Sequence, residues 1–211
     1  MKTELLISAL AQDNDPGWGF KRTIAIALFA GCSVAAVVFV IGIGPRPDFA
    51  EAAHTVRFLF KFVLTILLAV TATAFAIRYN RPGATLGLIG PALAIPPVLL
   101  VSSVITELFL VPESLWATRL IGSNSRFCLT LIPLLSIGPL VCMLIALRKG
   151  APSNPGLAGA IAGLASSGIA ATFYAANCFD DSPLFVAFWY PLAIGIVVAV
   201  GYVAGRKFLR W

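Results

Sequence analysis

Charge is scarce in this chain. Only 11% of its 211 residues are Asp, Glu, Lys or Arg, where a soluble domain carries about 25%. That shortage excludes a soluble globular domain, a disordered regulator and a fibrous protein. Histidine occurs once and methionine twice. No nucleophile elbow, Walker loop, zinc-peptidase motif or pair of intramembrane aspartates is found, so the chain is not read as an enzyme. Heptads, solenoid repeats and low-complexity tracts are also missing, as is an internal duplication of the kind transporter folds carry. No basic cluster stands on a soluble element, which argues against direct nucleic-acid binding.

What the chain does have is apolar sequence, at 59% of all residues. About 20 such residues cross the hydrocarbon core of a bilayer as a helix. Six runs qualify: 23–43, 58–77, 84–105, 127–147, 156–176 and 185–205. None alternates in the manner of a barrel strand. The fold class is therefore all-α, a polytopic six-helix bundle in the lipid bilayer. Residues 1–22 form a short polar tail, and residues 23–211 form the membrane domain. The first run is too long for a signal peptide and ends in Gly44-Pro45-Arg46-Pro47, so it reads as a retained anchor.

Six spans put both termini on one side. The termini side carries ten basic residues against three acids, a net of +7. The distal side carries Arg46, Arg57, Lys61, Arg119 and Arg126 against six acids, a net of −1. The positive-inside rule then places both termini in the cytoplasm. Between the third and fourth spans, residues 106–126 hold Leu, Phe and Trp, and read as a segment lying along the interface.

Prolines interrupt three spans: Pro91, Pro96 and Pro97; Pro133 and Pro139; and Pro191. They read first as packing geometry, with a cavity or hinge as the alternative. In the fifth span, Gly159 and Gly163 lie one turn apart and make a close-packing face, within one chain or between copies in a homo-oligomer.

Four cysteines remain. Cys32 and Cys142 fall inside spans and read as small apolar residues. Cys128 and Cys178 fall at the distal face, and Cys178 precedes Asp180 and Asp181. Two thiols and two carboxylates can hold a soft metal ion. The thiols can instead form a disulfide if their Cα atoms approach within about 7 Å. A plain alternative is that the acids cap the sixth helix, which starts at Ser182-Pro183. Lys61 lies about one turn into the second span. It is expected to snorkel to the distal interface, or else to pair with Asp180, Asp181 or Glu107. His54 reads as a solvated loop residue.

The tail carries a short apolar stripe, Leu5, Leu6 and Leu10, between a Thr3 cap and the stop at 13–17. About three turns of helix are unstable alone in water, so the stripe must lie on the membrane surface, on its own bundle or in a partner's groove.

Several motifs, in order, resemble the NrsF family of membrane anti-sigma factors. They are the opening Met1-Lys-Thr-x-x-Leu-Ile-x-x-Leu-Ala, then Gly44-Pro-Arg-Pro-Asp48, Phe58-Leu-Phe-Lys61, Arg81-Pro-Gly83 and Leu147-Arg-Lys-Gly-Ala-Pro152. The fullest is Cys178-Phe-Asp-Asp-Ser-Pro-Leu-Phe-Val-Ala-Phe-Trp-Tyr190. One departure is Asn177, where the family often has His. The resemblance implies a protein that holds an extracytoplasmic-function sigma factor at the membrane and releases it on a distal stress signal. It implies docking through Leu5, Leu6 and Leu10. It also implies sensing of heavy metals or oxidants at Cys128 and Cys178, with a heavy-metal ion as signal and no cofactor required. A second reading is a small transporter or metal-handling permease, with a polar path through Lys61, Glu107 and the broken third span. A third is a structural subunit of a larger membrane complex.

Overall fold

The computed structural model describes residues 17–80, 87, 89–150, 152 and 154–209, and no strand occurs among them. Leu5, Leu6 and Leu10 lie outside the described residues. Six helical stretches are long and apolar enough to cross a membrane. They are α1 (Gly17–Gly42), α3 (Val56–Tyr79), the pair α4 (Ile89–Ala92) and α5 (Ile95–Leu110), α7 (Ser125–Leu147), α8 (Pro155–Ala175) and α9 (Pro183–Phe208). A short α2 (Phe49–Ala52) follows α1, and a 3₁₀ turn (Glu113–Leu115) with α6 (Trp116–Ile121) precedes α7.

The helix starts are written locally. The Thr55 side chain accepts from the Phe58 N–H at 3.4 Å and opens α3. Asn154 accepts from the Leu157 N–H at 3.1 Å, with Pro155 as the first helical residue of α8. Ser182-Pro183 opens α9 in the same manner. Each side chain satisfies an N–H that the helix leaves orphaned. α1 begins at Gly17, so residues 17–22, assigned to the tail by composition, are helical. That helix ends where the Gly44 N–H returns to the Phe39 carbonyl at 2.7 Å, with Gly44 at φ 72°.

The third span differs from its expected bounds. The helix breaks at Leu93-Ala94 and restarts at Ile95, with Pro96 and Pro97 in the first turn. Proline has no N–H to donate, so the first turn is where two in a row fit without cost. The helix then runs on to Leu110, taking in the residues from Thr106 that were expected in the interface segment. Residues 84–86 and 88 of the expected span lie outside the described set. Beyond Leu110, the Trp116 indole N–H donates to the Val111 carbonyl at 3.0 Å. The Trp189 indole of α9 donates to the Leu120 carbonyl at 2.8 Å, tying α6 to the bundle.

α8 is the most enclosed span. Its Gly159 and Gly163 face α9, not a second copy of the chain. A Cβ on Gly159 would meet the Gly201 carbonyl oxygen and lie 2.7 Å from the Gly205 Cα. A Cβ on Gly163 would lie 2.7 Å from the Val197 carbonyl oxygen. On another side, Gly168 touches the Ala69 backbone of α3. Small residues let these backbones approach, and close packing is what associates helices where lipid supplies no hydrophobic drive. Pro139 of α7 is buried and packs directly on Gly31 of α1, so this proline serves packing.

The core has two apolar clusters. One, near the termini end, includes Phe20, Ile24, Met143, Leu147 and Leu209. The other, near the distal end, includes Phe39, Ile132, Tyr174, Phe185 and Tyr190, together with Cys128 and Cys178.

Candidate functional site

The loop between α8 and α9, residues 176–182, gathers most of the long-range polar contacts of the distal end. Three other parts of the chain reach it. From the α1–α2 turn, the Arg46 N–H donates to the Ala176 carbonyl at 3.0 Å. The Arg46 guanidinium grips Asp48 with two bonds of 2.7 and 2.6 Å. Its third nitrogen donates to Asp181 at 3.1 Å and to the Cys178 carbonyl at 3.4 Å. The same group stacks over Phe179, 4.7 Å from the ring centre. Asp48, its strongest partner, pushes the Arg46 pKa up, and Arg46 in turn pulls the Asp48 carboxyl down.

From α3 comes Lys61. It does not snorkel. Its side chain is 1% exposed, and its ammonium lies 2.5 Å from Asp181. It also donates to the Cys178 carbonyl at 2.9 Å and to the Asp180 carbonyl at 3.4 Å. A lysine this deep is tolerated because one carboxylate and two carbonyls replace its water. Of the three partners open to it in sequence, Asp181 is the one it takes.

From the α6–α7 turn, the Ser123 and Asn124 N–H groups donate to Asp180 at 2.9 and 2.7 Å. Gly122 makes room: a Cβ there would lie 2.7 Å from the Asp180 carboxyl carbon. Asp180 thus serves the start of α7. The start of α9 is capped by Ser182 and by Glu107 of α5, which accepts from the Ser182 hydroxyl at 2.9 Å and the Leu184 N–H at 3.3 Å. Neither aspartate caps the sixth helix, because each carboxylate is drawn to donors on another element. Glu107 also pairs with Arg119 at 2.6 Å and Arg57 at 3.5 Å. Lys61 and Glu107 therefore sit in two separate clusters. Deeper in the bundle, the described Ser136 and Thr71 hydroxyls bond carbonyls of their own helices.

Beneath this lid lie Cys128 and Cys178, both fully buried, both free thiols, in one apolar cluster with Tyr174 and Tyr190. Tyr174 donates to the Asn124 carbonyl at 3.2 Å. The Cys178 thiol reaches the Asp180 carbonyl at 3.6 Å. Burial pushes the Cys178 thiol pKa up, against the opposing pull of the Lys61 charge. Among the described residues, no three of His, Cys, Asp and Glu come together as a metal-holding set. Asp180 and Asp181 lie in the same loop as Cys178, but both are already engaged. His54 is exposed. Asn177 donates its amide to the Gly44 carbonyl at 3.0 Å, another tie to the α1–α2 turn.

Sequence reasoning brought Cys128, Cys178, Asp181 and Lys61 to one end, and they meet there. It did not single out Arg46, Tyr174 or Tyr190. The signal for Arg46 was present in Gly-Pro-Arg-Pro-Asp, a charged pair two residues apart in a turn stiffened by proline. The tyrosines carried no signal, since each reads as one more aromatic in an apolar run.

Only the thiolate reacts with alkylating reagents. A water-soluble maleimide is therefore expected to label Cys178 in the folded protein at least about tenfold more slowly than in the unfolded chain. The rate should still be climbing with pH above the ordinary thiol value of about 8.5. Labelling followed by mass shift checks this, and a rate that levels off by that pH would contradict a buried thiol.

The family model described as "Negative regulator of sigma F", NrsF, matches residues 10–211. The chain is 35% identical, over the full length of both sequences, to the "Anti-sigma-F factor NrsF" of Caulobacter vibrioides. It is 30% identical, again over both full lengths, to the "Probable anti-sigma-F factor NrsF" of Azospira oryzae. No solved structure matches it.

Proposed function

The chain belongs to the NrsF family of negative regulators of sigma F, and from that premise we propose that it is a membrane-anchored anti-sigma factor. It sequesters an extracytoplasmic-function sigma factor through residues 1–22 and releases it when a heavy metal or an oxidant reaches Cys128 and Cys178. The observation that carries this reading is full-length similarity to two proteins named as anti-sigma-F factors. The bundle sits in a bacterial inner membrane with both termini in the cytoplasm, as the excess of Lys and Arg at the termini end favours. Leu5, Leu6 and Leu10 dock on the sigma factor, whose surface supplies the burial that a short helix lacks.

The distal loop supports the sensing half of the reading. The Cys178 carbonyl is held by both Arg46 and Lys61. Metallation or oxidation of the thiol beside it would disturb contacts that reach α3 and the α1–α2 turn. For a signal to pass, the two states of the bundle must differ in affinity for the sigma factor.

The test is a pull-down of the cognate sigma factor with the full chain and with residues 1–22 deleted. Loss of capture is expected on deletion, and retained capture refutes docking through the tail. In parallel, a Cys128→Ser/Cys178→Ser variant should hold the sigma factor but no longer release it on metal or oxidant. Unchanged release in that variant removes the sensing claim and leaves the docking claim standing.

A further inference from the structure

The third span is the least enclosed of the six. At its distal end it is tied down by Glu107, which meets Arg57, Arg119, Ser182 and Leu184. Nearer the termini end, the helix is broken at Leu93-Ala94. Two cavities open along this seam, each of about 350 Å³.

Their linings are in register. On α3 the distal cavity takes Arg57 and Phe60, and the deeper one takes Leu64 and Leu68. These residues lie three or four apart and form one helix face. On α5 the same order runs Glu107, Ser103, Leu100 and Pro96. The two cavities follow one another along a crevice at the α3–α5 seam, the distal one backed by Pro183 of α9 and the deeper one by Val186 and Tyr190 of α9 and Leu164 of α8. From Arg57 to Leu68 the α3 rise is about 16 Å. That is close to half of the roughly 30 Å hydrocarbon core, the depth of one leaflet.

The chemistry of the crevice changes along its length. The deep end is lined almost wholly by carbon, with Leu64, Pro96, Leu100 and Ile194. The mouth carries Arg57, which is 46% exposed. Its ion pair with Glu107 is the long one at 3.5 Å, while Arg119 holds the same carboxylate oxygen at 2.6 Å. Two arginines face one carboxylate, so the mouth has one cation in excess. We propose that this crevice is a phospholipid-binding site. The phosphate of a lipid in the distal leaflet rests on Arg57, and one acyl chain fills the space between α3 and α5. A cation at headgroup depth above a carbon-lined slot one leaflet deep matches a phosphodiester joined to a hydrocarbon chain. The bound lipid completes the packing of the third span, which the protein by itself leaves open.

The experiment uses the full-length protein in a non-ionic detergent, with phosphatidylglycerol carrying a photoactivatable diazirine on its acyl chain as the sole phospholipid. After irradiation, label is expected on the α3 and α5 segments around Leu64–Leu68 and Pro96–Leu100. Arg57→Gln should lower that labelling about tenfold, as befits loss of a charge-assisted contact. Leu100→Trp, which fills the slot, should abolish it. Label on the lipid-facing Phe29 and Ile41 of α1, both largely exposed, should not change in either variant and reports an intact bundle. Three outcomes overturn the proposal: no label in the crevice, equal label in wild type and Arg57→Gln, or equal label from a diazirine diacylglycerol that has no phosphate.

Discussion

Lys61→Met is expected to destabilise the bundle by about 3–5 kcal/mol, the range for breaking one side of a buried ion pair. The side chain is fully buried, and its ammonium is the counter-charge 2.5 Å from Asp181. Methionine matches the lysine stem in length, so little packing is lost. What changes is the electrostatics. Asp181 keeps only Arg46, and the Cys178 and Asp180 carbonyls lose their shared donor. Buried polar groups without partners are costly because water cannot replace what was removed. The double variant Lys61→Met/Asp181→Leu should recover much of the loss, since apolar replacement of a whole buried pair is often close to neutral. Arg46 keeps Asp48 in that background. Thermal unfolding of the purified protein in detergent reads both effects. A single-variant cost below about 1 kcal/mol would place Lys61 among exposed ion pairs and refute the buried latch.

The second large effect is expected at Gly159. Gly159→Leu should cost more than about 3 kcal/mol, beyond the usual overpacking range of about 1–3 kcal/mol. Any side chain there points at the Gly201 carbonyl oxygen and the Gly205 Cα. Both are backbone, and backbone inside a helix cannot turn aside as a side chain can. α8 and α9 must separate, and contact along Gly163, Gly201 and Gly205 goes with them. Gly195→Ala is the control: it lies on α9 too, with nothing within 4 Å of its Cβ position. It should stay within about 0.5 kcal/mol of wild type. A tolerated Gly159→Leu would mean that the α8–α9 contact is looser than the backbone positions indicate. The same substitution separates two roles for the glycines. A face used between copies would shift the oligomeric state and spare the fold.

Most of the architecture was legible in the residues. Apolar runs of about 20 residues have one stable arrangement in a bilayer, because only a helix satisfies its own backbone there. The caps at Thr55, Asn154 and Ser182 act on the next turn of chain, so they too are local. The third span runs past its expected end at Ile105 to Leu110, because hydropathy does not see that Glu107 finds Arg57, Arg119 and Ser182 as partners. Its apolar run starts at Ala84, whereas the long helix starts at Ile95.

The site was legible only in part. Composition placed Cys128, Cys178, Asp181 and Lys61 at one end of the bundle, since the count of spans decides which end each loop occupies. Pairing was another matter. Asp180 and Asp181 are neighbours in sequence, yet one carboxylate turns to the Ser123 and Asn124 N–H groups and the other to Arg46 and Lys61. That division depends on which donors three other parts of the chain bring to residues 176–182. Whether Gly159 and Gly163 meet another helix of the same chain or of a second copy likewise turns on where α9 lies.

The sequence by itself determined that this protein is a six-span helical bundle, that its distal end is acidic and its termini end basic, and that two of its four cysteines share the distal end. Those properties follow from chain length, hydropathy and connectivity, which act along the chain. Only the tertiary structure decided that Lys61 is a buried partner of Asp181, that Arg46 grips the cysteine loop, that both thiols are sealed from water, and that a crevice remains between α3 and α5. Those properties depend on side chains from separate helices meeting in a dry interior, where each buried charge must find a partner and close packing selects which helices touch.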